Sequence, residues 1–176
     1  VLVPVDAVET TKMVAAMVDH TGPMYIRINR NDLPILTPAD TPFEIGKLYT
    51  MKEGGDVVVF ANGVMVSRAL TAAEELAAEG ISVKVVNVST IKPLDRQAVI
   101  DAAKGMKAVV TAEEHSVIGG LGSAIAEALR RETHAPLDFV GVEDVFGTSA
   151  YNYEELLVHY GLTAQAVAAK VRELLK

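Results

Sequence analysis

Two arginines, a carboxylate–imidazole run and a glycine-rich turn are the groupings in this 176-residue sequence best suited to chemistry. Arg27 and Arg30 fall in Tyr25-Ile26-Arg27-Ile28-Asn29-Arg30-Asn31-Asp32-Leu33-Pro34, where an alternating apolar segment ends. A guanidinium at a strand end presents a rigid fork of donors that fits phosphate or carboxylate. A solvated arginine or an interdomain ion pair satisfies the same spacing. Alternation puts Arg27 and Ile28 on opposite faces and leaves Arg30 beyond the strand. The second grouping is Glu113-Glu114-His115, followed by Gly119-Gly120-Leu121-Gly122-Ser123. Glu114 and His115 are adjacent, so they could form an acid/base pair, or hydrogen-bond across an interface. Gly119 and Gly120 precede a helix whose N-terminal N–H groups could meet an anion; tight helix packing is the alternative. The spacing is neither G-x-G-x-x-G nor a P-loop.

Weaker signals lie at two other strand ends. Asn62-Gly63 precedes a helix carrying Ser67, and Asp144 to Ser149 follows the last apolar run. Turn chemistry accounts for both, with Gly63 and Gly147 at strained backbone angles and Ser149 capping a helix. His20, His134 and His159 have no H-x-x-x-H or H-E-x-x-H spacing, so no zinc site is expected. Zero cysteines exclude disulfides and a thiolate nucleophile and fit a reducing compartment, so the cytoplasm is the expected location. A net charge of -7 argues against nucleic-acid binding. No apolar run approaches the roughly 20 residues of a membrane helix. Val1 to Pro4 lack the basic start of a secretory signal, and the first residue is not methionine, so a processed or excised piece is expected.

The elements that must position these residues alternate. Val1 to Val5 is strand-like. Asp6 caps a helix running to Val18, with Glu9 as its capping-box partner and Gly22-Pro23 as its stop; Met24 to Ile28 is a second strand. Prolines at 34, 38 and 42 mark a connector, followed by an irregular strand within Phe43 to Lys52. Strands are expected at Asp56 to Ala61, Ile81 to Val88, Ala108 to Ala112 and Leu137 to Val142. Helices are expected at Val64 to Ala78, Leu94 to Ala103, Leu121 to Arg131, Tyr153 to Tyr160 and Thr163 to Lys176. The pattern predicts an α/β fold: a doubly wound, mostly parallel sheet with helices on both faces.

In order, these segments resemble the C-terminal third of transketolase-like thiamine-diphosphate enzymes, above all the separate C-terminal subunit of two-chain transketolases. The resemblance runs through Gly22-Pro23-Met24-Tyr25-Ile26-Arg27, Ile91-Lys92-Pro93-Leu94-Asp95, Thr111-Ala112-Glu113-Glu114-His115, Gly119-Gly120-Leu121-Gly122-Ser123-Ala124 and Gly141-Val142-Glu143-Asp144-Val145-Phe146. It implies residues 1–36 as the end of a pyrimidine-binding domain, 37–52 as linker and first irregular strand, and 53–176 as the transketolase C-terminal domain. The family's phosphate-binding arginine lies in Arg-x-x-Leu-Pro, here Arg30-Asn31-Asp32-Leu33-Pro34, so the resemblance makes Arg30 the substrate-binding residue. Ser149-Ala150 departs from the family's usual Ser-Gly.

The resemblance implies ketol transfer between sugar phosphates, with thiamine diphosphate and a divalent metal (Mg) bound mainly by segments outside this chain. It implies an N-terminal transketolase subunit or domain as partner, homo-oligomerisation through the C-terminal domain, and a chain inactive alone. No catalytic residue and no metal ligand is assigned. Glu114, His115, Gly119 and Gly120 remain a secondary site. The alternatives are a non-catalytic dimerisation or regulatory module, and the equivalent region of a deoxyxylulose-phosphate synthase or 2-oxo acid dehydrogenase beta subunit. Arg30 with Leu33-Pro34 favours transketolase over the last two.

Overall fold

A computed structural model describes residues 1–132 and 134–176. Its strands are β1 (Tyr49–Lys52), β2 (Val57–Ala61), β3 (Val83–Asn87), β4 (Ala108–Ser116) and β5 (Leu137–Val142). Its helices are α1 (Ala7–Val18), α2 (Met65–Ala77), α3 (Arg96–Ala103), α4 (Leu121–Leu129), α5 (Tyr153–His159) and α6 (Ala164–Leu174). The sheet order is β1-β3-β2-β4-β5, parallel throughout except for β1, which pairs antiparallel with β3.

Residue parity along the central strands decides which helices cover which face. Val57, Val59 and Ala61 of β2 join Met65, Ala69, Ala73 and Leu76 of α2 and Val167 and Val171 of α6. Val58 and Phe60, one residue out of phase, join Val99 of α3 and Leu121, Ile125 and Leu129 of α4. A strand buried on both faces must be apolar at every position, and Val-Val-Val-Phe-Ala is. Each such valine stabilises the fold by about 1.5–3 kcal/mol relative to an exposed one. Alanines at 69, 72 and 73 on the buried stripe of α2 leave room for α6 to pack beside it.

Residues 1–36 lie across the carboxyl ends of this sheet. The two strands expected there shrink to one parallel bridge between Leu2 and Ile26, with a second, antiparallel bridge from Leu2 to Thr90. Pro4 and Pro23 each remove a donor from a ladder of this kind, which limits its length. The fragment is held instead by buried carboxylates. Asp6 caps α1 by accepting the Glu9 N–H at 2.8 Å, while its other oxygen accepts the Leu36 and Thr37 N–H groups at 2.7 and 2.6 Å. Glu9 accepts Val5 N–H at 2.7 Å, one residue before the position a capping box would use, and Asn87 Nδ2 at 2.9 Å. Asp6 thereby fastens the connector and Glu9 fastens α1 to the end of β3.

The two carboxyls move in opposite directions. Burial pushes Glu9 up. Burial alone would also raise Asp6, but the N–H groups of Glu9, Thr37 and Leu36 hold it below the ordinary aspartate value. A depressed folded-state pKa stabilises the fold above the unfolded value, and that contribution is lost as pH falls through the folded one. Asp6→Ala should therefore lower the unfolding free energy by about 2–3 kcal/mol at neutral pH. Urea denaturation should show the gap between wild type and Asp6→Asn narrowing in acid.

Candidate functional site

β4 runs four residues beyond the Ala112 expected from sequence, because it keeps pairing with β5 through a shift in register. Ala112 faces Val140 and Ser116 faces Val142, so the intervening stretch of β4 is longer than its partner. Glu113, Glu114 and His115 thus lie within a strand and not in a loop after it. Alternation then sends Glu114 to the opposite face from Glu113 and His115. The Glu114–His115 acid/base pair that adjacency allows does not form, and the two side chains line separate cavities.

Glu113, the first carboxylate of that run and given no role of its own from sequence, is 1% exposed. Its Oε2 accepts the Leu121 N–H at 2.7 Å and its Oε1 the Gly122 N–H at 2.8 Å. The N–H groups that could have met an external anion therefore already hold an internal one. Gly120 is obligatory for this contact, because a Cβ there would collide with the Glu113 carboxylate. Gly122 has the same kind of constraint: its Cβ would lie 2.8 Å from the Phe139 ring. Gly120 and Gly122 thus sit in close packing, whereas nothing lies within 4 Å of a Cβ built at Gly119. The available signal was parity, since Glu113 shares a face with Val109, which packs with α4.

His115 is exposed and borders a cleft of about 550 Å³ with Gly119 and Gly120. Its Nδ1 lies 2.9 Å from the Ser116 carbonyl and 3.9 Å from Glu113 Oε2. Glu114 faces the second cavity, of about 340 Å³, together with Arg27, Arg30 and Tyr153. Arg30 is exposed on its rim, and its guanidinium makes no hydrogen bond or ion pair among the described residues. Asn29, just before it, donates to Tyr153 OH at 2.6 Å and to Glu114 Oε2 at 3.2 Å, while its own Oδ1 accepts the Asn31 N–H at 2.8 Å. Asn29 thus fastens the backbone on both sides of Arg30 to β4 and α5. Burial, reinforced by the Glu114 charge, pushes the Tyr153 phenol well up, so it remains a neutral hydroxyl. Neither Asn29 nor Tyr153 carries a local sequence signal, because they are 124 residues apart.

The minor expectations divide. Gly63 takes a positive φ of 53°, as its turn requires, whereas Gly147 does not. Asn152, not Ser149, caps α5, accepting the Glu155 N–H at 3.0 Å. Among the described residues, no three His, Asp or Glu side chains cluster as metal ligands. No helix among them is long and apolar enough to cross a membrane.

Because Glu113 and Gly120 form one contact, Gly120→Ala and Glu113→Gln should each cost about 1–3 kcal/mol of stability. The double variant should cost less than their sum in denaturant unfolding.

The model of the transketolase C-terminal domain family matches residues 46–167. The chain is 43% identical over 171 residues to the 6-deoxy-6-sulfo-D-fructose transketolase subunit of Clostridium sp. strain MSTE9, covering 97% of this chain and 53% of that protein. It is 37% identical over 179 residues to a putative transketolase C-terminal section of Methanocaldococcus jannaschii, covering 100% and 55% respectively. An identity of 34% over 180 residues joins it to one of the subunits of the apulose-4-phosphate transketolase of Phocaeicola vulgatus, covering 100% and 56%. A split-gene transketolase solved as an inactive beta4 tetramer superposes with a TM-score of 0.94 at 47% identity, over 99% of this chain and 57% of that one. The chain spans about half the length of the relatives it matches. It belongs to the transketolase family and carries that family's C-terminal domain.

Proposed function

We propose that this chain is the C-terminal part of a cytoplasmic transketolase-type enzyme that moves a two-carbon ketol unit between sugar phosphates. Its own contribution is to bind the anionic end of the sugar. The observation that carries this reading is Arg30, exposed on the rim of a cavity, unpaired among the described residues and set in Arg30-Asn31-Asp32-Leu33-Pro34. The Asn29 bonds to Tyr153 and Glu114 order the backbone that presents it. A guanidinium fork presented from that backbone holds a terminal oxyanion and aligns the sugar without taking part in bond making. The relatives named for 6-deoxy-6-sulfo-D-fructose and apulose 4-phosphate support an anion-reading role, since sulfonate and phosphate both present oxygens to such a fork.

Thiamine diphosphate and magnesium belong, in this reading, to an N-terminal transketolase subunit with which the chain associates as part of an oligomer. The described residues of this chain do not fit a metal-diphosphate group, having no cluster of metal ligands. A deoxyxylulose-phosphate synthase of Synechococcus sp. strain JA-2-3B'a(2-13) is also similar, at 38% identity, but the chain covers 27% of it. The Leu33-Pro34 sequence after Arg30 favours transketolase.

The chain should show no ketol transfer from xylulose 5-phosphate alone and should gain it on addition of its N-terminal partner subunit. In that complex, Arg30→Ala should raise KM for the sugar phosphate at least about tenfold, or about 1.4 kcal/mol, with kcat less affected, and Arg30→Lys should recover part of it. Turnover by the chain alone, or an unchanged KM in Arg30→Ala, would overturn the reading.

A further inference from the structure

Arg30 sits on a stretch with no regular structure of its own. Residues 28–36 form no helix or strand, and among the described residues no backbone–backbone hydrogen bond reaches them. Side chains take over, and the Asn29 amide is central among them. Its Oδ1 accepts the Asn31 N–H at 2.8 Å, a turn that spans Arg30. Its Nδ2 donates to Tyr153 OH at 2.6 Å and to Glu114 Oε2 at 3.2 Å. With both ends of the amide engaged, the turn can swing only if the bonds to Tyr153 and Glu114 break.

Tyr153 is the fixed end of this chain of contacts. Its ring packs against the core cluster of β2, α2 and α6, and it opens α5, which Asn152 caps. The next residue, Glu154, pairs with Arg68 of α2. Ring and hydroxyl therefore have separate roles, since the ring belongs to the core and the hydroxyl reaches out of it to Asn29. Burial first, and then the charge and hydrogen bonding of Glu114, push the phenol up, so the hydroxyl keeps its proton. A neutral hydroxyl accepts from Asn29 and still has a hydrogen to direct at Glu114.

We propose that Tyr153 is a positioning residue of the anion site, its hydroxyl setting the Asn29 amide and through it the direction in which Arg30 presents its guanidinium. This rests on the reading of Arg30 given above. Tyr153 acts through Asn29 and not on the reacting atoms. Its effect falls on the orientations open to Arg30 before binding, hence on KM more than on kcat.

The test is Tyr153→Phe, which keeps the packed ring and removes only the hydroxyl. On the chain alone, hydrogen exchange at the Asn31 N–H should speed up about fivefold, and by a larger factor than at the amides of β2, which report the fold as a whole. In the complex with the N-terminal partner subunit, KM for xylulose 5-phosphate should rise about fivefold with kcat unchanged. That rise should disappear when position 30 is already alanine. A uniform loss of stability would instead speed exchange everywhere and lower the active fraction without moving KM, and it would rule the inference out. So would unchanged exchange at Asn31, a KM that moves in Arg30→Ala but not in Tyr153→Phe, or a full effect that persists beside Arg30→Ala. If Arg30→Ala itself leaves KM unchanged, the anion-binding reading fails and takes this inference with it, so the two failures have different signatures.

Discussion

A buried carboxylate with nowhere to go but the start of a helix governs this molecule. Glu113 sits inside a sheet–helix layer, where an uncompensated charge would cost several kcal/mol, and two backbone N–H groups of α4 compensate it. This arrangement fixes the distance between β4 and α4 and demands a residue without a side chain at position 120. It also fixes the phase of β4. With Glu113 inward, His115 must share its side and Glu114 must point away, so one strand end supplies the walls of two different cavities.

The amino-terminal fragment is attached by the same kind of device. Its ladder is a single parallel bridge, too small to hold α1 in place, and Asp6 and Glu9 substitute side-chain acceptors for the missing strand pairing. The segment bearing Arg30 is then positioned from both ends, by the Asp6 bonds to Leu36 and Thr37 downstream and by Asn29 upstream. Rigid placement of an arginine on a strand-poor segment thus depends on acceptors contributed by several parts of the chain.

Sequence periodicity makes the layers legible, because β2 is apolar at every position and α2 has its buried residues at helical spacing. The helix cap at Asp6 is equally local. The site is less so. Arg30 stands out through its motif, but the partners of its neighbour Asn29 lie 85 and 124 residues away, beyond any local pattern. Local sequence favours Glu114 over Glu113 because Glu114 adjoins His115, and with β4 expected to end at Ala112 nothing else separates the two carboxylates. Only the continuation of the strand makes one an internal cap and the other a cavity wall. The first two strands are overestimated because apolar alternation reports extended backbone, whereas a ladder also needs donors that prolines lack.

The borders of the sheet have a bearing on how copies of the chain can meet. β1 is four residues long, irregular in register and ends in Lys52, and β5 places Asp138 on the opposite border, paired with Lys170 of α6 at 2.8 Å. Short, kinked or charged borders discourage the edge-to-edge growth that seeds fibrils. Indefinite extension of the sheet is thereby disfavoured, and exposed apolar surface is carried instead by side chains such as the protruding aromatic rings of Phe146 and Tyr151, 99% and 97% exposed.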